Sequence, residues 1–171
     1  GNQAFTFPTG KGTKFGQIYM TAPSVNTDQF TAEYFGTNPN GSWNTSTKEA
    51  TVTSVSTCEY WLLDRTAGSS NVSVRLSWDN SRSCAVSNIN EQRVGQWNGS
   101  QWINQGSNGS PTGNTTAGTV QSCGTIGTFG ASNPFTNITS TVTTISYAGS
   151  PFCTSLSSPQ AVTFSGISGG P

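Results

Sequence analysis

Val72-Ser73-Val74-Arg75-Leu76-Ser77-Trp78-Asp79 sets Val72, Val74, Leu76 and Trp78 on one face of an extended strand and Ser73, Arg75, Ser77 and Asp79 on the other. Such a strand needs a second sheet against its apolar side and water on its polar side, which is the situation of a strand in a two-sheet sandwich. Shorter period-two runs recur at 4–7, 17–22, 29–35, 50–55, 59–63, 93–97, 101–104, 117–122 and 137–146, bounded by Gly, Pro, Asn or Ser. No segment carries a sustained helical stripe. The expected fold is all-β: an antiparallel β-sandwich, Ig-like or jelly-roll-like, followed by a C-terminal extended arm.

Composition agrees. Roughly half of the 171 residues are Ser, Thr, Asn or Gly, only 8% are charged, and nine Phe, five Trp and four Tyr supply the bulk that a core needs and a disordered chain lacks. From residue 94 to residue 171 no side chain is charged. That half can neither steer an ionic ligand nor keep neighbouring copies apart by repulsion. The balance of seven basic and seven acidic residues, with no Lys/Arg cluster, argues against nucleic-acid partners. No apolar run approaches the ~20 residues of a membrane span, so no membrane insertion is expected. The start at Gly1-Asn2-Gln3 carries neither an initiator Met nor a signal peptide, which suggests a processed piece of a longer secreted precursor.

Trp97-Asn98-Gly99-Ser100-Gln101-Trp102 reads as a hairpin, because Asn-Gly tolerates the positive φ of a tight turn. A two-residue turn would set Trp97 opposite Ser100, whereas a four-residue loop would set it opposite Trp102, and the sequence allows both. Residues 104–118 read as a polar loop. The domain boundary is expected near residue 146, giving a sandwich over 1–146 and an arm over 147–171. In the arm Ala161 and Thr163 alternate with Val162 and Phe164, and Ile167 follows. The arm reads as the opening strands of a module that stops before it closes, so it is expected to donate its strand to an adjacent copy and build a ring or filament.

Cys58, Cys84, Cys123 and Cys153 lie far apart, and with no C-x-x-C pair and no His they suit disulfides rather than zinc. Four cysteines allow three connectivities, which spacing does not separate. The expected pairing is Cys58–Cys84, tying the 59–63 strand to the loop after Trp78, with Cys123–Cys153 anchoring the arm. Disulfides and a polar, nearly uncharged surface place the chain outside the cell. Seven Asn-x-Ser/Thr sequons are close to what this composition gives by chance, and they argue only for a polar surface.

Residues that could carry chemistry are few. Glycan hydrolysis wants two facing carboxylates about 5–10 Å apart. Glu59 and Asp64, the tempting pair, are five residues apart, an odd number that puts them on opposite strand faces. Without His there is no Ser–His–Asp or Cys–His arrangement, and Lys11, Lys14 and Lys48 have no matching serine motif. The expectation is a non-enzyme with no cofactor and no metal. Asp79-Asn80 could supply oxygen ligands to calcium, but it reads better as a turn. A second reading is a carbohydrate-binding module, with Trp43, Trp97 and Trp102 in or beside polar turns offering indole faces to a sugar.

Phe5-Thr6-Phe7-Pro8-Thr9-Gly10, Cys58-Glu59-Tyr60-Trp61-Leu62-Leu63-Asp64-Arg65, Leu76-Ser77-Trp78-Asp79 and Arg93-Val94 with Trp97-Asn98-Gly99 resemble the β-sandwich module that precedes Ig-like repeats in large secreted surface proteins of the Bacteroidota, exported by the type IX route. The stretch from Ile145 to Gly170 is similar to the opening of one such repeat. The resemblance implies cell-surface adhesion or structure and transfers no catalytic residue. The function expected from all of this is an extracellular structural or adhesive subunit that assembles through its C-terminal strand.

Overall fold

The computed structural model describes residues 3–141. They form two antiparallel sheets packed face to face. Across the first run β1 (Phe5–Phe7), β4 (Ile18–Met20), β8 (Val74–Asp79), β12 (Ala117–Gln121) and β11 (Thr112–Gly113). Across the second run β10 (Trp102–Asn104), β9 (Gln92–Trp97), β13 (Phe135–Thr139), β7 (Tyr60–Ala67) and β5 (Gln29–Phe35), and β6 (Ser54–Val55) also pairs with β13. A small hairpin, β2 (Gly10–Lys11) and β3 (Lys14–Phe15), stands apart.

β8 behaves as its alternation requires. Val74, Leu76 and Trp78 are buried and Arg75, Ser77 and Asp79 are half-exposed. Both edges of β8 are paired, with Ile18 and Val120 opposite Leu76. Its apolar face meets Tyr34, Trp61, Leu63, Val94 and Phe135 of the second sheet in one core. Burial of each such side chain contributes about 1.5–3 kcal/mol. A one-residue slip would turn Arg75 and Ser77 inward, so the core fixes the register.

The Trp97–Trp102 hairpin takes the longer of its two options. Trp97 lies opposite Trp102, and Asn98 Oδ1 accepts from the Ser100 and Gln101 amides at 3.0 and 2.9 Å. Gly99 supplies the positive φ of 101° that closes this loop.

The structure revises three strand expectations. The 59–63 strand continues to Ala67, because β5 pairs along its whole length. In 50–55 only Ser54–Val55 pairs as a strand; the residues before it fold over β10 instead. The 137–146 strand starts earlier, at Phe135, between β9 and β7. The polar loop 104–118 also holds a short strand, β11, against β12. The expected boundary at residue 146 lies outside the described residues.

The β10 edge is closed by the chain itself. Trp102 N donates to Thr47 O and Glu49 N to Trp102 O, both at 2.9 Å, and Asn104 N donates to Glu49 Oε1 at 2.8 Å. Val52, Val55, Trp102 and Ile138 form a second buried cluster beneath this cover, with Trp43 and Trp97 packed on it. Gly95 makes room there, since a Cβ at that position would lie 2.2 Å from Ile138 Cγ2.

Candidate functional site

The opposite flank is built differently. β1 is the edge of the first sheet and β5 the edge of the second, and among the described residues β1 pairs only with β4. The β2–β3 hairpin plugs one end of the gap between them: Gly16 N donates to Thr9 O at 2.9 Å, Gly16 lies against the Tyr34 ring, and the Lys11 ammonium sits 5.0 Å from the Phe35 ring centre. Among the described residues the other end is open. A cavity of about 600 Å³ is lined there by Phe5, Phe7, Met20, Pro23, Asp28 and Phe30.

Period two in Phe5-Thr6-Phe7 puts both phenyl rings on the cavity side, with centroids 4.8 Å apart, while Thr6 faces out beside Tyr19 and Arg75. Phe5 is 50% exposed and Phe15 54%, the two most exposed large rings among the described residues, but only Phe5 lines the cavity. Phe30 is backed edge-on by Phe129 at 5.4 Å, and the Arg65 guanidinium covers Phe129. The cavity's one ionisable lining residue, Asp28, accepts from the Ser70 and Ser69 amides at 2.7 and 3.2 Å. Hydrogen bonds from Ser70 and Ser69 hold its carboxyl below the usual range, with Arg65 adding a smaller attraction. What the cavity offers a ligand is the rings of Phe5, Phe7 and Phe30, the polar side chains of Gln3 and Gln29, and a strand edge with no partner among the described residues.

Of the three tryptophans expected as sugar platforms, Trp102 is buried and Trp43 and Trp97 are partly exposed. Trp102 is fully buried beneath the cover over β10, so it presents no indole face to solvent. Trp43 and Trp97 are half-buried: Trp97 meets Trp102 edge-on at 5.8 Å, and Trp102 Nε1 donates to Trp43 O at 3.4 Å. Trp43 also meets Tyr60 at 5.2 Å, Tyr60 stacks on Phe35 at 4.6 Å, and Lys11 caps Phe35. Trp43 and Trp97 each make one edge-on ring contact and keep part of their surface in water.

The charged residues of the middle segment are structural. Glu59 is fully buried and ion-paired with Arg82; its Oε2 accepts from Tyr34 Oη at 3.0 Å and its Oε1 from Ser83 Oγ. Arg82 Nη2 donates to Ser77 Oγ at 2.8 Å, tying the pair to β8. Burial pushes the Tyr34 phenol up to about 12, helped by the neighbouring Glu59 carboxylate. Asp64 is exposed on β7, so it does not converge with Glu59. Asp79 Oδ1 accepts from Ser81 N at 2.8 Å, an Asx turn. Among the described residues no three His, Cys, Asp or Glu side chains cluster as a metal site would require.

Cys58 and Cys84 form the expected disulfide, with Cα atoms 5.4 Å apart, beside the Glu59–Arg82 pair. Cys123 is disulfide-bonded too, and the Cys153 half of its expected pair lies outside the described residues. So do Ala161, Val162, Thr163, Phe164 and Ile167. Of the sequons, Asn137 is buried and donates to Ser77 O, which closes that position to a glycan. No described helix is long and apolar enough to cross a membrane.

Sequence reasoning did not find the open flank. Phe5 and Phe30 lie in the 4–7 and 29–35 runs, which read as ordinary strands, and only the sheet order brings them together. A usable signal was present in Phe5-Thr6-Phe7-Pro8, an uncharged strand with two large rings on one face and no Lys to guard its edge. Protein-family models, curated proteins and solved structures give no match to this chain.

Proposed function

We propose that this protein is a non-catalytic, extracellular structural or adhesive subunit whose C-terminal segment joins copies into a polymer or filament on or outside the cell. The observation that carries the reading is the asymmetry of the sandwich. Among the described residues one sheet edge is covered by the chain itself, while the other keeps a phenylalanine-lined opening beside an unpaired strand edge and a half-exposed Phe5. Disulfides at Cys58–Cys84 and Cys123 suit an oxidising compartment. The uncharged stretch from residue 94 onward lacks the repulsion that keeps strand edges apart. The residue pattern shared with type IX surface proteins of the Bacteroidota points the same way.

The test is the mass of the full chain in solution against concentration, with negative-stain images of the same samples. Masses at multiples of 17.9 kDa, with rings or filaments in the images, are expected. A monomer at every concentration overturns the reading.

A further inference from the structure

We propose that the cavity between β1 and β5 is the acceptor for residues 160–167 of a second copy, a reading that rests on the assembly proposed above. The segment pairs along the free edge of β1 and extends the first sheet by one strand. In that position Val162 and Phe164, two residues apart, share the cavity-facing side with Phe5 and Phe7, which repeat at the same interval. Ala161 and Thr163 then continue the outward polar row that begins with Thr6.

Three observations favour this occupant. The cavity lies between two sheet edges, where an added strand can satisfy backbone groups as well as fill apolar space. Its one carboxylate already accepts from the Ser69 and Ser70 amides through Oδ2, and residues 160–167 carry no charge, so insertion sets no second ion against it. Reach is set by the expected Cys123–Cys153 bond: Cys123 follows β12 at the cavity end, where Ser122 N donates to Val74 O, and the six residues between Cys153 and Gln160 span up to about 20 Å. That reach serves a chain's own cavity as well as a neighbour's, so experiment must separate the two.

The experiment uses the full chain as wild type and as Phe164→Asp, Phe5→Asp, Phe5→Ser and Phe15→Asp. Phe15 is 54% exposed on the β2–β3 hairpin, outside the cavity, and is the control. Near-ultraviolet circular dichroism checks folding, and Phe5→Ser stands in if the aspartate variant fails that check. Mass by light scattering and amide exchange of β1 are the readouts. Expected are a drop to monomer mass for Phe164→Asp and both Phe5 variants, an unchanged Phe15→Asp assembly, and at least tenfold faster β1 exchange in Phe164→Asp. If Phe164→Asp separates the copies while the Phe5 variants still assemble, the acceptor lies elsewhere; this inference falls and the assembly reading stands. If the wild type is monomeric and Phe164→Asp still speeds β1 exchange, the chain fills its own cavity and the second copy is excluded. If Phe164→Asp assembles like the wild type, or a monomeric wild type shows no change in β1 exchange, both readings fall.

Discussion

At the β10 flank the residues that follow Trp43 lie over the sheet edge, satisfy its amides and seal Trp102 to zero exposure; at the β1 flank a three-residue strand borders a cavity and leaves Phe5 half in water. Among the described residues, then, the chain covers one of its two flanking edges and not the other. Bare edges invite pairing with other chains, and proteins ordinarily guard them with charge, proline or cover. Here the bare stretch carries none of these within Phe5–Phe7. An edge left open in a chain that closes its counterpart is a candidate docking edge.

The largest effect should come from attacking the closed side. Trp102→Ala should lose about 3–5 kcal/mol by urea unfolding, since a buried ring leaves a cavity its neighbours cannot fill. Phe5→Ala should lose under about 1 kcal/mol, because half of that ring is already in water. Equal losses at the two sites would break the contrast between the flanks. Next, replacing Cys58 and Cys84 together by Ala should cost roughly 3 kcal/mol through the freed loop. That change should leave the assembled mass unaltered, because the bridge lies away from the open cavity; an altered mass would make the two ends interdependent. A smaller loss, about 1 kcal/mol, is expected for Glu49→Ala, whose carboxylate accepts from the Asn104 amide in the cover over β10. The same variant should expose that edge and raise amide exchange at residues 102–104, and unchanged exchange would mean that the cover holds without Glu49.

The smallest effect concerns acid. The Asp28 and Asp79 carboxyls lie below their usual range, each chiefly through hydrogen bonds from a neighbouring serine, Ser70 and Ser81. A depressed carboxyl stabilises the fold above its unfolded value, and that contribution disappears as pH falls through the folded value, so the loss belongs below about pH 4. Melting temperatures at pH 7 and pH 3 should show a decrease that Asp28→Asn makes smaller. A decrease of undiminished size in Asp28→Asn would remove Asp28 from the acid response of the open flank.

Much of the fold was legible because its strands are individually amphipathic. Val72 to Asp79 announces a sandwich strand without reference to anything else, and Asn98-Gly99 announces the hairpin but not its loop length. The choice of the longer loop comes from the indole pair and the cover over it, both tertiary. Residues 50–53 misled for the same reason: their alternation is that of a strand, but Val52 N turns back to Glu49 O, and only at Thr53, which donates to Thr139 O, does the chain join β13. Glu59 and Arg82 were legible as charges, but their burial was not, since it takes the 58–84 bridge to fold residues 23 positions apart into contact. The open flank was the least legible element, being made of two edges whose facing residues, Phe5 and Phe30, are joined by no local pattern.

The opposed positions of β1 and the end of β13 have a mechanical consequence. β1 begins beside Met20 at the cavity end, and Thr139 lies beside Ser54 and Gln92 at the far end. A pull through Phe5 and Thr139 acts along the strands, so the β1–β4 bonds take the load together in shear instead of peeling one at a time. Should they rupture, the Cys58–Cys84 bridge still withholds 26 residues from extension, roughly 80–90 Å of chain. A subunit in a tethered assembly would then lengthen in two stages, the second available only after reduction.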